Sequence, residues 1–338
     1  MASLKMGKQS FFLSNPPIIA KWVSVAGKNE SEGPLSSEFD MTVKDSYFGQ
    51  KTWEQAEKKM QQTAINRLMR KAQLSPKDID MVFSGDLLNQ CIGSSFSLRN
   101  SGIPHIGLYG ACSTMAESLM LSSMAVGGGF ADRAIAMTSS HVAASERQYR
   151  FPLGYGGQRP PMSQWTVTGA GAALVSTDGY GPKITGCTIG TVTDLGIRDA
   201  GNMGAAMAPA ALATIHAHLE DFSLSVNDYD LIVTGDLGQF GRQLLVELAL
   251  KDGLQLEARL KDCGTMVFDN IKQDVHAGGS GCGCSAVTLC GHLLNRLQAG
   301  DLHRILFCGT GALLSPVSTQ QGMPISGICH AVSIEGDV

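Results

Sequence analysis

An α/β protein built from two similar halves, with mostly parallel sheets covered by helices on both faces, is the fold class this sequence predicts. Three observations predict it. Helical periods alternate with short apolar runs, a segment near residue 80 recurs near residue 230, and the composition is rich in small residues but poor in charge. Charged residues are 17% of the 338, against roughly 25% in an average soluble domain. Glycines number 40, aromatics are 6%, and the formal net charge is −4. That balance offers no basic surface for nucleic acid and no acidic disordered tail. The glycines keep no collagen-like period, and a coiled coil would need far more Glu, Lys and Leu.

Taken in order, the N-terminus carries Lys5 and Lys8 before Phe11, Phe12 and Leu13, but Asn15, Pro16 and Pro17 stop the apolar run. A signal peptide is therefore not expected. From Trp53 to Leu74, Trp53, Ala56, Met60, Ala64 and Leu68 recur at steps of three and four, which predicts an amphipathic helix. Ser75 followed by Pro76 reads as an N-cap with proline at the first helical position. Met81 to Phe83 is a short buried strand. Ser113 to Met124 is an apolar helix of small residues, and Ala134 to Met137 a second buried strand. The pattern then repeats as a helix over Pro209 to Leu219, a strand over Leu231 to Val233, a small-residue helix from Ser285 and a strand over Ile305 to Phe307. Central helices made of small residues are expected to be packed on all sides. No stretch of about 20 uncharged apolar residues is present, so no membrane span is expected.

The repeat is specific. Asp78-Ile79-Asp80 with Ser84-Gly85-Asp86-Leu87 matches Asp228-Tyr229-Asp230 with Thr234-Gly235-Asp236-Leu237, 150 residues on. Ala111-Cys112-Ser113 matches Gly283-Cys284-Ser285, and Arg133 to Thr138 matches Arg304 to Gly309. A period this long indicates duplicated domains rather than a solenoid. The halves are placed at 1–190 and 191–338.

Nine scattered cysteines in a chain of this length fit a reducing compartment better than a disulfide scaffold. Cys282 and Cys284 form a C-x-C without a second pair at zinc spacing, so no metal is assigned there. Cys112 is the leading candidate for chemistry. A thiol at a helix start meets the positive end of the dipole, which lowers its pKa; the alternative is a small buried residue. Asp86 and Asp236 follow the two repeat-related strands, where ligands of α/β proteins bind, although Asp236 reads more simply as a cap or turn residue. His276, before Ala277-Gly278-Gly279-Ser280-Gly281, suits an acid or base and equally an ordinary hydrogen-bonding role. The glycine-rich turn itself presents backbone N–H groups that suit an anion.

Together these features resemble the thiolase superfamily, which includes the ketoacyl synthases. Cys112 falls at the nucleophile position, Trp165-Thr166-Val167-Thr168-Gly169-Ala170-Gly171-Ala172 resembles the glycine-rich strand, and Phe307-Cys308-Gly309-Thr310-Gly311-Ala312 resembles the C-terminal glycine motif. The resemblance spans the whole chain. It implies a thiolase-like fold, two duplicated halves in a five-layered α-β-α-β-α sandwich with mixed sheets, and a homodimer. Two departures stand out. Condensing enzymes carry a His after the main strand of the second half, where this chain has Gly235 and Asp236. They carry a second His or an Asn where Ser280 stands here; His276 reaches that place only by a shift of about four residues. Without these partners a thiol lacks its acid/base relay and side-chain oxyanion donors.

A branch of the superfamily found in bacterial spores is matched most closely. The match runs through Gly33-Pro34-Leu35 with Phe39-Asp40, Ser84 to Gln90, Gly110 to Ser113, Thr138-Ser139-Ser140-His141 and Tyr155-Gly156-Gly157-Gln158. It continues in Met207-Ala208-Pro209-Ala210, Ala277 to Cys282 and Gly311 to Pro316. This resemblance implies a non-catalytic protein that binds dipicolinic acid, free or as its calcium chelate. It would act with the membrane-embedded SpoVA proteins in moving that compound into and out of spores, at the periphery of the inner spore membrane. The implied ligand residues are Asp86, Cys112, Asn89, Gln90, Asp236, His276 and Ser280, with Cys112 a vestigial nucleophile. No cofactor is implied beyond a Ca²⁺ accompanying the ligand. The alternatives are an acyl-transferring or condensing enzyme of the ketoacyl synthase III type using Cys112, and a purely structural partner of membrane proteins.

Overall fold

The computed structural model describes residues 4–149 and 159–337. Ten of its described strands form two sets of five with one pattern. In the first set the spatial order is His105–Leu108, Met81–Gly85, Arg133–Ser140, Gly169–Ser176 and Ile18–Ala26. The first three run parallel, and the last two pair antiparallel with their neighbours. In the second set the order is Leu260–Asp262, Leu231–Thr234, Arg304–Leu313, Ser326–Glu335 and Lys183–Thr188, again parallel, parallel, antiparallel, antiparallel. The two sets meet at one residue pair, Ile18 with Lys183. That seam is reinforced by Ile19 N–H donating to the Pro182 carbonyl and Ile184 N–H to the Pro17 carbonyl, at 2.7 and 2.9 Å.

The matching aspartates of the two copies do the same structural work. Asp80 accepts from the Asp132 and Arg133 N–H groups, and Asp230 from those of His303 and Arg304. Each ties the start of one parallel strand to the start of the next. Asp78 and Asp228 close matching turns by accepting from the N–H and hydroxyl of Ser75 and Ser225. Ser75 and Pro76 therefore open a single 3₁₀ turn, Pro76–Asp78, and not a full helix. The chain must already be extended at Met81.

Helices cover both sheets and fill the space between them. Trp53–Ala72 is capped by Thr52 and packs Ala56, Met60, Ala64 and Leu68 onto the first set, as the periodicity requires. Met203–Phe222 lies on Arg304–Leu313 and Ser326–Glu335. It starts six residues before the expected Pro209. Asn202 caps it through the Ala205 N–H, and Pro209, although inside the helix, is tolerated within an alanine-rich buried face. Between the sheets run Thr114–Gly127 and Cys282–Thr288, the latter continuing through a π turn into Leu294–Ala299. Every residue of Cys282–Thr288 is buried, and Thr114–Gly127 touches strands of both sets. The order outer helix, sheet, central helices, sheet, outer helix is the mixed five-layered arrangement expected. It accounts in part for the low charge, since Cys282–Thr288, enclosed on all sides, carries no charged residue. No helix among the described residues is long and apolar enough to cross a membrane.

Candidate functional site

Cys112 sits in a tight turn, Ala111–Ser113, that leads into the central helix Thr114–Gly127. Ala111 has φ of +53°, a left-handed conformation that a residue with a side chain adopts only under constraint. The turn is held by the Ser113 hydroxyl donating to the Gly110 carbonyl and the Thr114 hydroxyl to the Ala111 carbonyl, both at 2.6 Å. Held this way, the Cys112 thiol is 6% exposed and borders a narrow cleft of about 50 Å³. Leu87, Tyr149 and Thr166 form part of its wall, with Ser280 beside the thiol and Met203 and Leu314 from the second half.

Asp236 lies beneath this wall, fully buried. It follows the strand Leu231–Thr234 and stands next to Gly235, the position where the resemblance leads one to expect an imidazole. Its carboxylate accepts from the Thr310 hydroxyl at 2.9 Å, the Gly281 N–H at 2.8 Å and the Ser280 hydroxyl at 3.2 Å. The Cys112 thiol also donates to it. Burial raises the pKa of Asp236 against the pull of these donors. Asp262, one strand further out, accepts from the Thr234 hydroxyl and the Leu237 and Gly238 N–H groups, yet burial still lifts it to about 6.

The helix-dipole expectation for Cys112 is overturned. Burial pushes its pKa well above the usual thiol value, and the neighbouring Asp236 carboxylate and Cys282 push it the same way. The dipole at a helix start is worth about 1 kcal/mol or less and does not offset these effects. The thiol is held protonated, as a donor to a carboxylate, which is the opposite of an activated nucleophile. Alkylation of Cys112 by iodoacetamide at pH 8 is therefore expected to be much slower in the folded protein than in the denatured chain. Peptide mass mapping over a time course checks this; equal rates would contradict the buried, protonated state.

The other sequence-derived residues are placed as follows. Ser280 borders the cleft next to Cys112. Asp86 is fully buried, and its carboxylate turns to the Leu88 N–H, the Ser94 N–H and the Ser94 hydroxyl, at 2.9, 2.8 and 2.7 Å; the next residue, Leu87, is the one on the cleft wall. Asn89 and Gln90 are exposed on a separate groove shared with His105 and Tyr109. Asn89 is linked to the cleft indirectly, since the Tyr109 hydroxyl donates to its Oδ1 and lies 3.1 Å from the hydroxyl of Tyr149. His276 is held by the Pro160 carbonyl and the Asp274 carboxylate at 2.9 and 3.0 Å and does not line the cleft. Tyr155 to Gln158 lie outside the described residues. Among the described lining residues none is a histidine, lysine or arginine.

The sequence reading passed over the short helix Val142–Tyr149, which supplies Ser145, Glu146 and Tyr149 to the cleft. The available signal was their spacing, which puts all three on one helical face, directly after the Thr138-to-His141 motif.

Comparison with known proteins decides the family. Residues 7–335 match the family described as Stage V sporulation protein AD (SpoVAD). The chain is also 43% identical over 329 residues, 97% of each protein, to Stage V sporulation protein AD of Bacillus subtilis (strain 168). The chain belongs to the SpoVAD family. It is therefore a member of a family of sporulation proteins, and its fold is thiolase-like. Among solved structures it is similar to 3-oxoacyl-[acyl-carrier-protein] synthase III from Aquifex aeolicus, with TM-score 0.58, 13% identity and 95% and 99% of the two chains covered. It is similar also to an OleA variant from Xanthomonas campestris (TM-score 0.59, 13% identity, 96% and 99% covered). A third likeness is the Acat5 thiolase from Ascaris suum (TM-score 0.57, 12% identity, 98% and 100% covered). At these identities the likeness is one of fold, and function has to be argued from the site.

Proposed function

We propose that this SpoVAD family member is a catalytically degenerate thiolase-like protein that binds dipicolinic acid, free or calcium-chelated, in the cleft beside Cys112. Its role would be to pass that ligand to or from membrane-embedded SpoVA proteins at the inner spore membrane, during uptake into and release from spores. The observation that carries the reading is the pairing of Cys112 with Asp236. A carboxylate fixed by Thr310, Ser280 and Gly281 stands one residue past the position expected to hold the relay imidazole, and burial together with this carboxylate raises the thiol's pKa. What is left of the ancestral site is a cleft with apolar walls and a few polar groups, suited to holding a small planar molecule. The glycine-rich turn at 277–281 and the two halves around the cleft support the same reading, and the protein would act as a homodimer of the kind the resemblance implies.

The charge of the cleft bears on the form of the ligand. Glu146 is on its wall and Asp236 is beneath it. A free dicarboxylate approaches carboxylates at an electrostatic cost, whereas its calcium chelate carries no net charge. In titration calorimetry, dipicolinate is expected to bind the folded protein, and more tightly with Ca²⁺ than without. Absence of binding in both titrations would rule the reading out. The second reading, acyl transfer from Cys112, is favoured by one observation only, that the thiol borders the cleft. Incubation with acyl-CoA followed by intact mass measurement separates the two: a Cys112 adduct that turns over would support the enzyme, and an unmodified mass the binding protein.

A further inference from the structure

We infer that Ser145 is the residue that reads the ligand in this cleft, through a hydroxyl that no group among the described residues engages. The inference follows from counting the donors on the cleft wall among the described residues. The Cys112 thiol and the Ser280 hydroxyl both donate to Asp236. The Thr166 hydroxyl donates to Glu146 at 3.2 Å, and the Tyr149 hydroxyl to the Leu87 carbonyl at 2.7 Å. Ser145 differs from all four. It is 2% exposed, borders the cleft, and its Oγ has no hydrogen-bond partner among the described residues. A buried hydroxyl left unpaired is costly, and such an exception needs an explanation. Here the explanation is a ligand atom.

The local structure supports this. Ser145 stands on Val142–Tyr149, and its N–H is committed to the helix by donating to the His141 carbonyl at 2.9 Å. A serine hydroxyl inside a helix commonly turns back to bond a carbonyl in the preceding turn; this one does not. The helix start is fixed from two sides, by the His141 ring on the Ser46 carbonyl at 2.8 Å and by the Val142 N–H on the Thr168 hydroxyl at 3.0 Å. The backbone that carries the hydroxyl is thus anchored at its N-terminal end. As an unpartnered side-chain hydroxyl on the wall of a cleft without a described cation, it suits an acceptor that carries charge, a carboxylate oxygen of a planar aromatic acid.

This inference rests on the dipicolinate reading above, and the test separates the two. Dipicolinate, with Ca²⁺ present, is titrated by calorimetry into the wild-type chain and into the variants Ser145→Ala and Ser145→Thr. Their thermal midpoints are recorded alongside. The expected result is a loss of roughly tenfold or more in affinity for S145A. Its thermal midpoint should not fall, because the hydroxyl makes no bond within the protein. S145T, which keeps the donor, should retain most of the affinity. Wild-type binding with an undiminished S145A would overturn the role of Ser145 and leave the dipicolinate reading standing. An equal loss in S145T and S145A would also overturn it, since the effect would then come from shape and not from the donor. No binding by the wild-type chain would remove both.

Discussion

Replacing Asp86 with alanine is expected to lower stability by about 3 kcal/mol or more, because three buried donors lose one acceptor at once. The Leu88 N–H, the Ser94 N–H and the Ser94 hydroxyl all converge on this carboxylate. They tie the end of the strand Met81–Gly85 to the short helix Ile92–Ser97. The network does not stop there. Gln61 on the outer helix donates to the Ser94 hydroxyl, to the Gly85 carbonyl and to the Ser139 hydroxyl, which in turn donates to the buried Glu57. Removing Asp86 therefore loosens the contact between two helices and two strands, and a buried polar network left half-satisfied is worse than none. Denaturant unfolding should show the midpoint falling, with thermal unfolding lower by roughly 6 °C or more. Asp86→Asn should fall too, since its amide places a donor against donors. Wild-type stability combined with lost dipicolinate binding would show instead that the carboxylate serves the ligand.

A comparable effect is expected from one added methyl group at Gly171 or Gly283, where the central helix Cys282–Thr288 crosses the strand Gly169–Ser176. A Cβ on Gly171 would stand 2.5 Å from the Ala286 carbonyl oxygen, and one on Gly283 would stand 2.4 Å from the Ser140 Oγ and 2.7 Å from the Gly169 carbonyl oxygen. In both cases backbone obstructs, so no rotamer change relieves the clash and the helix must shift off the sheet. Overpacking of this kind costs about 3 kcal/mol, and at Gly283 the displaced segment adjoins Ser280 and the cleft. Gly171→Ala and Gly283→Ala should both show lowered unfolding midpoints. Gly107→Ala, whose Cβ would meet only ordinary contacts beyond 3.7 Å, should behave like the wild type. Equal stability of all three would refute the close-packed crossing.

Much of the fold was legible because burial leaves a direct mark on composition. Ala134 to Met137 reads as a strand because it is wholly buried, and Asp80 and Asp230 recur because each copy needs the same carboxylate against the same two backbone donors. The start of Met203–Phe222 was hidden by Pro209, which ordinarily begins a helix; only the alanine-rich packing around it shows why it is accepted. The site was legible in part. The position of Cys112 could be read from its helix, but the direction of its pKa could not. That depends on Asp236, a residue of the other half, and on burial that no local pattern records. The spacing of Ser145 with Tyr149 marks a shared helical face, but what distinguishes Ser145 is the lack of a partner among the described residues, and a missing contact has no sequence motif.

The joining of the two strand sets has a consequence for how the chain is made. Ile18–Ala26 has only the short strand Met41–Thr42 beside it until Gly169–Ser176 emerges, and Lys183–Thr188 pairs early with Ser10–Phe12 but completes its other edge only with Ser326–Glu335. Pairings so distant in sequence fold slowly, because the entropy of closing a long loop is lost before any contact rewards it. Throughout that interval each strand keeps an edge open and able to pair with the wrong neighbour. Production of this protein during sporulation is thus expected to be sensitive to synthesis rate and chaperone supply, even though the finished molecule hides those same edges in its centre.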